Sequence, residues 1–277
     1  MLTEIFPTLS PSPYLDAFSI CLGITAATWL LSVLTREYSW VDRIWSIAPA
    51  VYAIYVAEAA HFENPRLNIM TALITLWAIR LTANFAVKGG YWIGGEDYRW
   101  AIIQKRLKPW QFQVFNATFI SPYQNLLIYL FVAPLHTAWL YQEVPMGMWD
   151  MVGTLMFAIF LAGETVADLQ MFRFQEAKKV RLARGQSVDP PFFDRGLYRY
   201  SRHPNYFFDL GQWWVLNLFA VGASGEWLNW TLVGAFLLHL LFEGSTRFTE
   251  SISLSKYPSY ADYQKRVSRL IPLPPRR

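Results

Sequence analysis

The sequence predicts an all-α, polytopic membrane protein with seven transmembrane helices, an outside N-terminus and a cytosolic C-terminus. Its 277 residues are 54% hydrophobic and only 16% charged, a balance too apolar for a soluble domain of this size. Seven apolar runs approach the roughly 20 residues that cross a bilayer as a helix. Basic residues also collect in alternate connections between these runs, as expected if they are retained on the cytosolic side.

The apolar runs are spread along the whole chain and leave no room for a separate soluble domain, so residues 1–277 are interpreted as one membrane domain. The fourth run contains Asn116, Pro122, Gln124 and Asn125, which makes a re-entrant or kinked segment an alternative there. A count of six spans is the corresponding alternative for the whole chain. The runs lie at about 17–35, 43–60, 67–87, 112–135, 149–167, 205–223 and 227–243.

The distribution of positive charge favours seven runs over six. With seven runs and an outside N-terminus, 22 of the 24 Lys and Arg residues fall on the cytosolic side. Arg66 falls outside, and Arg80 lies within the third run. The net charge of +4 therefore belongs to one face of the protein. Such a face suits membrane lipids and requires no nucleic-acid partner.

Several common chemistries are not predicted. The sequence has no glycine-rich nucleotide fingerprint of a soluble fold and no serine nucleophile elbow. The four histidines are scattered without metal-ligand spacing, and Cys21 stands alone. We therefore expect no metal.

Polar and ionisable side chains inside the apolar runs are the main functional signal. A charged residue at the centre of a bilayer costs roughly 2.5–3.5 kcal/mol on insertion scales, so it usually faces a cavity or a partner. On four runs these residues recur three or four positions apart, which places them on one helix face. All four stripes fall at the predicted cytosolic ends, and we expect them to line one pocket open to the cytosol. The stripes are Arg80, Asn84 and Lys88; Glu164 and Asp168; Asn205, Asp209 and Gln212; and His239 and Glu243.

A structural interpretation of the same stripes stays open. Arg80 can simply neutralise Asp168 or Asp209 in an ion pair, and residues near helix ends can reach the membrane surface.

The segment GLYRYSRHPNYFFDLGQWW (196–214) predicts a helix that begins at the membrane surface. Pro204 suits the first helical turn because its missing N–H would have no partner there. The positive end of the helix dipole, together with Arg195, Arg199, Arg202 and His203, predicts an anion site, with phosphate as the candidate ligand. The alternative is that these residues only follow the distribution of charge across the membrane.

Asn205 and Asp209 lie one and two turns deeper in this predicted helix. They are placed to bind an uncharged or amide part of the same ligand. A ligand with an anionic end and a polar ring would fit both groups.

Four segments together resemble the steroid 5-alpha-reductase superfamily, in particular its little-characterised membrane branch in bacteria and eukaryotes. The likeness runs from about residue 40 to 272 and includes an Arg-His-Pro-Asn-Tyr core that isoprenylcysteine carboxyl methyltransferases share. The Ala-Asp-Leu-Gln stretch favours the reductases. The segments are RLTANFAVKGGYW (80–92), ETVADLQMFRFQ (164–175), the segment 196–214 and SKYPSYADYQKRVSRLIP (255–272).

The resemblance implies a seven-helix fold that holds NADPH in a cytosol-facing cavity and reduces a carbon–carbon double bond conjugated to a ketone. Arg80, Asp168, Asn205, Asp209 and Trp213 match the family's cofactor-side positions. The candidate cofactor ligands are thus Arg80, Asn84, Asp168, Arg199, Arg202, His203, Asn205, Asp209 and Trp213.

The substrate side departs from the family pattern. The steroid enzymes use a Gln-Glu pair on an early helix and a Tyr shortly before the third-helix arginine. Here the matching segments read WVDRIWS (40–46) and Trp77. Asp42 is the acid that remains at that location, and we assign it as the candidate catalytic residue.

The sequence therefore predicts an NADPH-dependent oxidoreductase of lipid metabolism acting on a lipophilic, sterol-like, isoprenoid or fatty enone. The alternatives are an S-adenosylmethionine-dependent methyltransferase of the isoprenylcysteine type and a non-catalytic lipid or sterol binder. The expected location is the endoplasmic reticulum in a eukaryote and the inner membrane in a bacterium.

Overall fold

The computed structural model describes residues 11–92 and 94–276, and its regular elements in those ranges are helices without strands. The predicted outside N-terminus falls on residues 1–10, outside the described residues. The α-helices of seven residues or more are Phe18–Thr35, Ile47–Ala59, Pro65–Val87, Tyr98–Arg106, Pro109–Phe115, Gln124–Phe131, Pro134–Leu140, Met148–Ala183, Pro204–Ser224, Val233–Lys256 and Tyr260–Arg266. Shorter helical pieces are Pro13–Asp16, Trp40–Ile44, Gly196–Arg199 and Trp230–Leu232.

Three segments of the described chain are long and apolar enough to cross a membrane: Pro13–Thr35, Pro65–Val87 and Met148–Ala183. They indicate a membrane-embedded protein and agree with the first, third and fifth predicted runs. The count of seven spans and the orientation of the termini stay predictions.

Helix ends follow the capping signals in the sequence. Asn64 precedes Pro65, and its side-chain oxygen accepts a hydrogen bond from the amide of Leu67 at 3.0 Å. The predicted start at Pro204 is confirmed. The long helix Met148–Ala183 ends just before Gly185, which has a positive φ of 72° that glycine adopts without strain.

Two predicted runs differ from the observed helices. The second run yields the helix Ile47–Ala59, whose 13 residues extend about 20 Å at 1.5 Å each. The seventh run was predicted to start at 227, but its α-helix starts at Val233. The reason is Asn229, whose side chain accepts a hydrogen bond from the amide of Thr231 at 3.0 Å and caps the preceding short turn.

The fourth run is helical up to Phe131, followed by a turn at Val132 and Ala133, and it contains a π-helical segment at Asn116–Tyr123 that includes Pro122. A π turn accommodates a residue that lacks the amide donor of a regular α-helix. The polar residues of this run contact the helix Phe18–Thr35. The Asn116 amide donates to the Ser32 hydroxyl at 2.8 Å, and the Asn125 amide donates to the Thr28 hydroxyl at 2.9 Å.

The described chain forms two compact units. The first consists of residues up to Leu155 together with Trp213–Ala235, and the second consists of Met156–Gln212 and the residues from Phe236 onward. The helices that begin at Met148, Pro204 and Val233 contribute residues to both units.

An ion pair between Arg66 and Asp150 lies at the centre of polar contacts in the first unit. The two side chains are only 1% and 0% exposed, and the guanidinium meets both carboxylate oxygens at 2.7 and 3.0 Å. Arg66 also donates to the carbonyls of Val144 and Pro145, both at 3.0 Å, and Asp150 accepts from the amide of Gly147 at 2.8 Å. Every charged atom of the pair is therefore satisfied by the protein.

The Asp150→Ala variant is expected to be strongly destabilised, by about 3–5 kcal/mol, because it leaves a buried guanidinium without its counter-charge. Asp262→Ala is the matched control, since Asp262 forms an exposed pair with Lys265 whose side chains are 73% and 77% exposed. Thermal unfolding of both variants in the same detergent measures the difference. Equal midpoints would contradict a stabilising role for the Arg66 pair.

Gly234 allows two backbone segments of the first unit to approach closely. A Cβ at this position would lie 2.0 Å from the carbonyl oxygen of Leu130, a distance that no side-chain motion relieves. Gly244, ten residues further along the same helix, has no atom within 4 Å of such a Cβ.

Gly234→Ala is therefore expected to lower the unfolding midpoint by forcing these segments apart. Gly244→Ala is expected to leave it unchanged or to raise it, because alanine favours a helix by about 1 kcal/mol over glycine. Unfolding curves of the two variants beside the parent protein test this, and a loss of stability confined to Gly244→Ala would refute it.

Candidate functional site

Two of the buried carboxylates of the second unit belong to the predicted cofactor site. Asp168 lies on the helix Met148–Ala183 and Asp209 on the helix Pro204–Ser224, and each residue is 7% exposed. Asn205, one turn before Asp209, is half-buried. Buried carboxylates need charged or hydrogen-bonding partners, so both positions have specific polar surroundings.

Tyr198 joins this group although the sequence did not single it out. Its side chain is buried beside the ring of Phe193, with centroids 5.2 Å apart. Burial first, and then the negative charge of Asp168, raise the pKa of Tyr198 well above its ordinary value. Tyr198 therefore stays a neutral hydrogen-bond donor near the Asp168 carboxylate at physiological pH.

Arg202 is held by the protein on every side of its guanidinium. It pairs with both oxygens of Glu250 at 2.6 and 3.0 Å, and it donates to the carbonyls of Gln264, at 2.9 Å, and Val267. The bidentate geometry is the strongest form of an Arg–carboxylate pair. A phosphate could bind Arg202 only by displacing one of these partners.

His203 shares the same carboxylate. Its Nε2 lies 3.0 Å from a Glu250 oxygen, and its ring stacks on Tyr206, which in turn stacks on Phe242 at 4.3 Å. Its backbone amide donates to the carbonyl of Arg269 at 3.1 Å. Arg202 and His203 thus fix the chain just before the helix that begins at Pro204.

Arg199 differs from its two neighbours because it is exposed, at the end of the short helix Gly196–Arg199. Among the predicted anion ligands 199, 202 and 203, Arg199 is the one whose guanidinium is open to a ligand from solution.

Glu250 is the residue that sequence reasoning missed. It lies on the helix Val233–Lys256, seven residues after Glu243, so the two carboxylates are two turns apart on one face. Extending the polar stripe by seven residues beyond Glu243 would have included Glu250. Glu243 itself pairs with Arg247 at 2.7 Å and with Arg269, which is a structural arrangement. His239 is exposed, and its place in the predicted pocket stays a prediction.

Asp42 lies in the first unit, on the short helix Trp40–Ile44, and hydrogen bonds join this helix to the segment 90–100. Its carboxylate accepts from the indole N–H of Trp100 at 2.9 Å. Nearby, Arg43 pairs with Glu37 at 2.7 Å and donates to the carbonyl of Gly90 at 3.2 Å. Burial, reinforced by the neighbouring Asp97, raises the pKa of Asp42. A raised pKa is what a proton donor needs, while the bond to Trp100 also suits a structural role.

The remaining predicted residues belong to the first unit. Arg80 and Asn84 are half-buried and one turn apart on the helix Pro65–Val87, as predicted. Trp213 is fully buried. Its ring packs edge-on against Trp77, with centroids 4.7 Å apart, and in a tilted arrangement against Phe131, with centroids 4.8 Å apart. Its position in the structure is that of a core residue, and its predicted cofactor contact stays a prediction.

Within residues 11–92 and 94–276, no group of three or more His, Cys, Asp or Glu side chains is arranged to hold a metal ion.

Comparison with known proteins gives one family and one curated relative. Residues 28–267 match the family described as "Protein of unknown function (DUF1295)". The chain belongs to the DUF1295 family. It is also 34% identical over 276 residues to an uncharacterized protein, C594.04c, of Schizosaccharomyces pombe, and the match covers 94% of this chain and 80% of the relative. No solved structure gives a significant match.

All candidate catalytic and cofactor residues, from Asp42 to Trp213, fall inside the range that the DUF1295 family spans, and so does Glu250. The Arg202–Glu250 pair and the Asp42 segment are therefore parts of the family domain.

The Glu250 network predicts a specific pH dependence of stability. Burial alone would raise the pKa of Glu250, but hydrogen bonds from His203, Arg202 and Gln264 outweigh it and lower this pKa from 4.5 to about 2. A depressed pKa adds stability above the unfolded value of 4.5, and this stability is lost as the pH falls toward 2.

Glu250→Gln is therefore expected to be less stable than the parent protein at pH 7, with a difference that shrinks steadily below pH 4.5. Unfolding midpoints measured from pH 7 to pH 3 in one detergent test this. A difference that stays constant over that range would show that the charge of Glu250 contributes nothing.

Proposed function

We propose that this DUF1295 protein is a membrane-embedded, NADPH-dependent reductase of a carbon–carbon double bond conjugated to a carbonyl in a lipophilic substrate. The observation that carries the proposal is the group of Asp168, Tyr198, Asn205 and Asp209 in the second unit. These polar side chains are buried or half-buried around the start of an apolar helix, a position where ionisable residues usually face a cavity or a partner. The resemblance to the reductase superfamily supports it through the same residues.

The residues of the second unit suit a dinucleotide in different ways. Arg199, exposed at the surface, is suited to a phosphate, whereas Arg202 is committed to Glu250. Asn205 has an amide that can both donate and accept, and Asp209 can accept from a ribose hydroxyl or a carboxamide. Asp168 would hold the neutral Tyr198 hydroxyl in place beside the ligand.

The bound cofactor would supply a hydride to the electron-poor carbon of the substrate. The protein must then provide a proton for the neighbouring carbon and polarise the carbonyl. Asp42 is assigned as this acid because its raised pKa keeps it protonated over a wider pH range than an exposed aspartate.

The experiment is a thermal-shift titration of detergent-purified protein with NADPH, NADH and S-adenosylmethionine. We expect stabilisation of several degrees by NADPH, because a ligand that binds only the native state raises its midpoint. Asp168→Ala and Asn205→Ala are each expected to need about tenfold more NADPH for the same shift. The reason is that each variant loses a polar contact of about 1.5 kcal/mol. The exposed change Asp262→Ala is the control and should leave the shift intact.

A response to S-adenosylmethionine alone would replace the proposal by the methyltransferase alternative. An unfolding midpoint that none of the three compounds shifts would favour a non-catalytic lipid or sterol binder. Asp42→Asn separates binding from chemistry, because it should keep the NADPH shift and abolish NADPH oxidation by an enone substrate. An unchanged oxidation rate in that variant would remove Asp42 from the catalytic role.

A further inference from the structure

A cavity of about 490 Å³ opens in the first unit, and none of its lining residues belongs to the proposed cofactor site. It lies beside the end of the helix Phe18–Thr35 and the helices Tyr98–Arg106 and Pro109–Phe115. Its polar and aromatic lining comes from Arg36, Tyr38, Gln104, Trp110, Phe112 and Gln113. No function described above uses it.

The lining carries one positive charge and no negative one. Arg36 is exposed, and in the described part of the chain it forms no ion pair. The nearest acid along the chain, Glu37, is already occupied by Arg43 at 2.7 Å and by the amide of Gly94 at 3.0 Å. The cavity therefore selects for an anion.

Neutral hydrogen-bond donors accompany this charge. The amide of Gln113 donates to the hydroxyl of Tyr38 at 2.9 Å, which leaves that hydroxyl's own proton free to point elsewhere. Gln104 adds a second amide. A guanidinium with a phenol and amides around it is suited to an oxyanion with several acceptor oxygens, such as a phosphate.

The position of the cavity indicates where that phosphate comes from. Arg36 follows directly after Thr35, the last residue of a candidate membrane span, so a bilayer crossed by this span would have its lipid headgroups at the level of the cavity. Trp110 is 64% exposed beside it, as is typical of the aromatic belt at a membrane surface. Lys105 and Lys108 are exposed on the adjoining segments and add to the positive potential that attracts anionic lipids.

We propose that this cavity binds the phosphate-bearing headgroup of an anionic phospholipid. Arg36 pairs with the phosphate, Tyr38, Gln104 and Gln113 donate to the headgroup oxygens, and Trp110 packs against the glycerol and the upper acyl chain. The site lies in the first unit and does not depend on the proposed reductase activity.

The test uses full-length protein in a neutral detergent and measures the binding of phosphatidylglycerol and of phosphatidylcholine by native mass spectrometry. We expect the anionic lipid to bind more tightly than the zwitterionic one. Arg36→Gln should weaken the binding of phosphatidylglycerol about tenfold, because it removes a charge-assisted contact to the phosphate. Arg184→Gln is the matched control, since Arg184 is an exposed arginine elsewhere on the chain, and it should change binding by no more than about twofold.

Gln113→Leu is a second variant, at an exposed position. It is expected to weaken the binding of phosphatidylglycerol severalfold and to leave the unfolding midpoint of the lipid-free protein unchanged. Glycerol 3-phosphate and NADPH are added as competitors to separate a lipid site from a site for soluble phosphates. Equal loss in Arg36→Gln and Arg184→Gln, equal binding of the two lipids, or displacement of the lipid by either soluble compound would each overturn the proposal.

Discussion

The fold of this protein depends on one constraint: a charge removed from water inside an apolar helical protein must meet its partners within the protein. Arg66 and Asp150 satisfy it in the first unit, where the pair and four backbone groups use every polar atom of both side chains. Arg202 and Glu250 satisfy it in the second unit. Both networks join residues far apart in the sequence, so they fix tertiary structure in places where apolar packing alone is non-directional.

The same constraint separates structural charge from functional charge. Arg202 and His203 share the carboxylate of Glu250, and their donors are turned inward to hold the segment before Pro204. Arg199, three residues earlier, is exposed instead. Three basic residues that look equivalent in the sequence therefore divide into two with a structural task and one that is open to a ligand.

Local signals in the sequence mark several helix ends, and the start at Pro204 was predicted from them. Pro65 after Asn64, Pro204 and Gly185 each mark an observed helix end because their effect on the backbone is decided within a few residues. The bond between Asn116 and Ser32, the partner of Arg202 and the bond between Asp42 and Trp100 were not predicted. Each depends on residues 40 or more positions away, such as Ser32 for Asn116 and Glu250 for Arg202. The periodicity of a single helix carries no information about such pairs.

The contacts of residues 264–273 have a consequence for how the segment around Arg202 folds. The carbonyls that accept hydrogen bonds from the Arg202 guanidinium and from the amides of Arg202 and His203 belong to Gln264, Val267, Ser268 and Arg269, and Leu273 donates its amide back to Tyr200. The segment around Arg202 therefore reaches its final conformation only once residues 264–273 are in place. A change in those later residues is expected to alter the start of the helix Pro204–Ser224, although the two segments are far apart in the sequence.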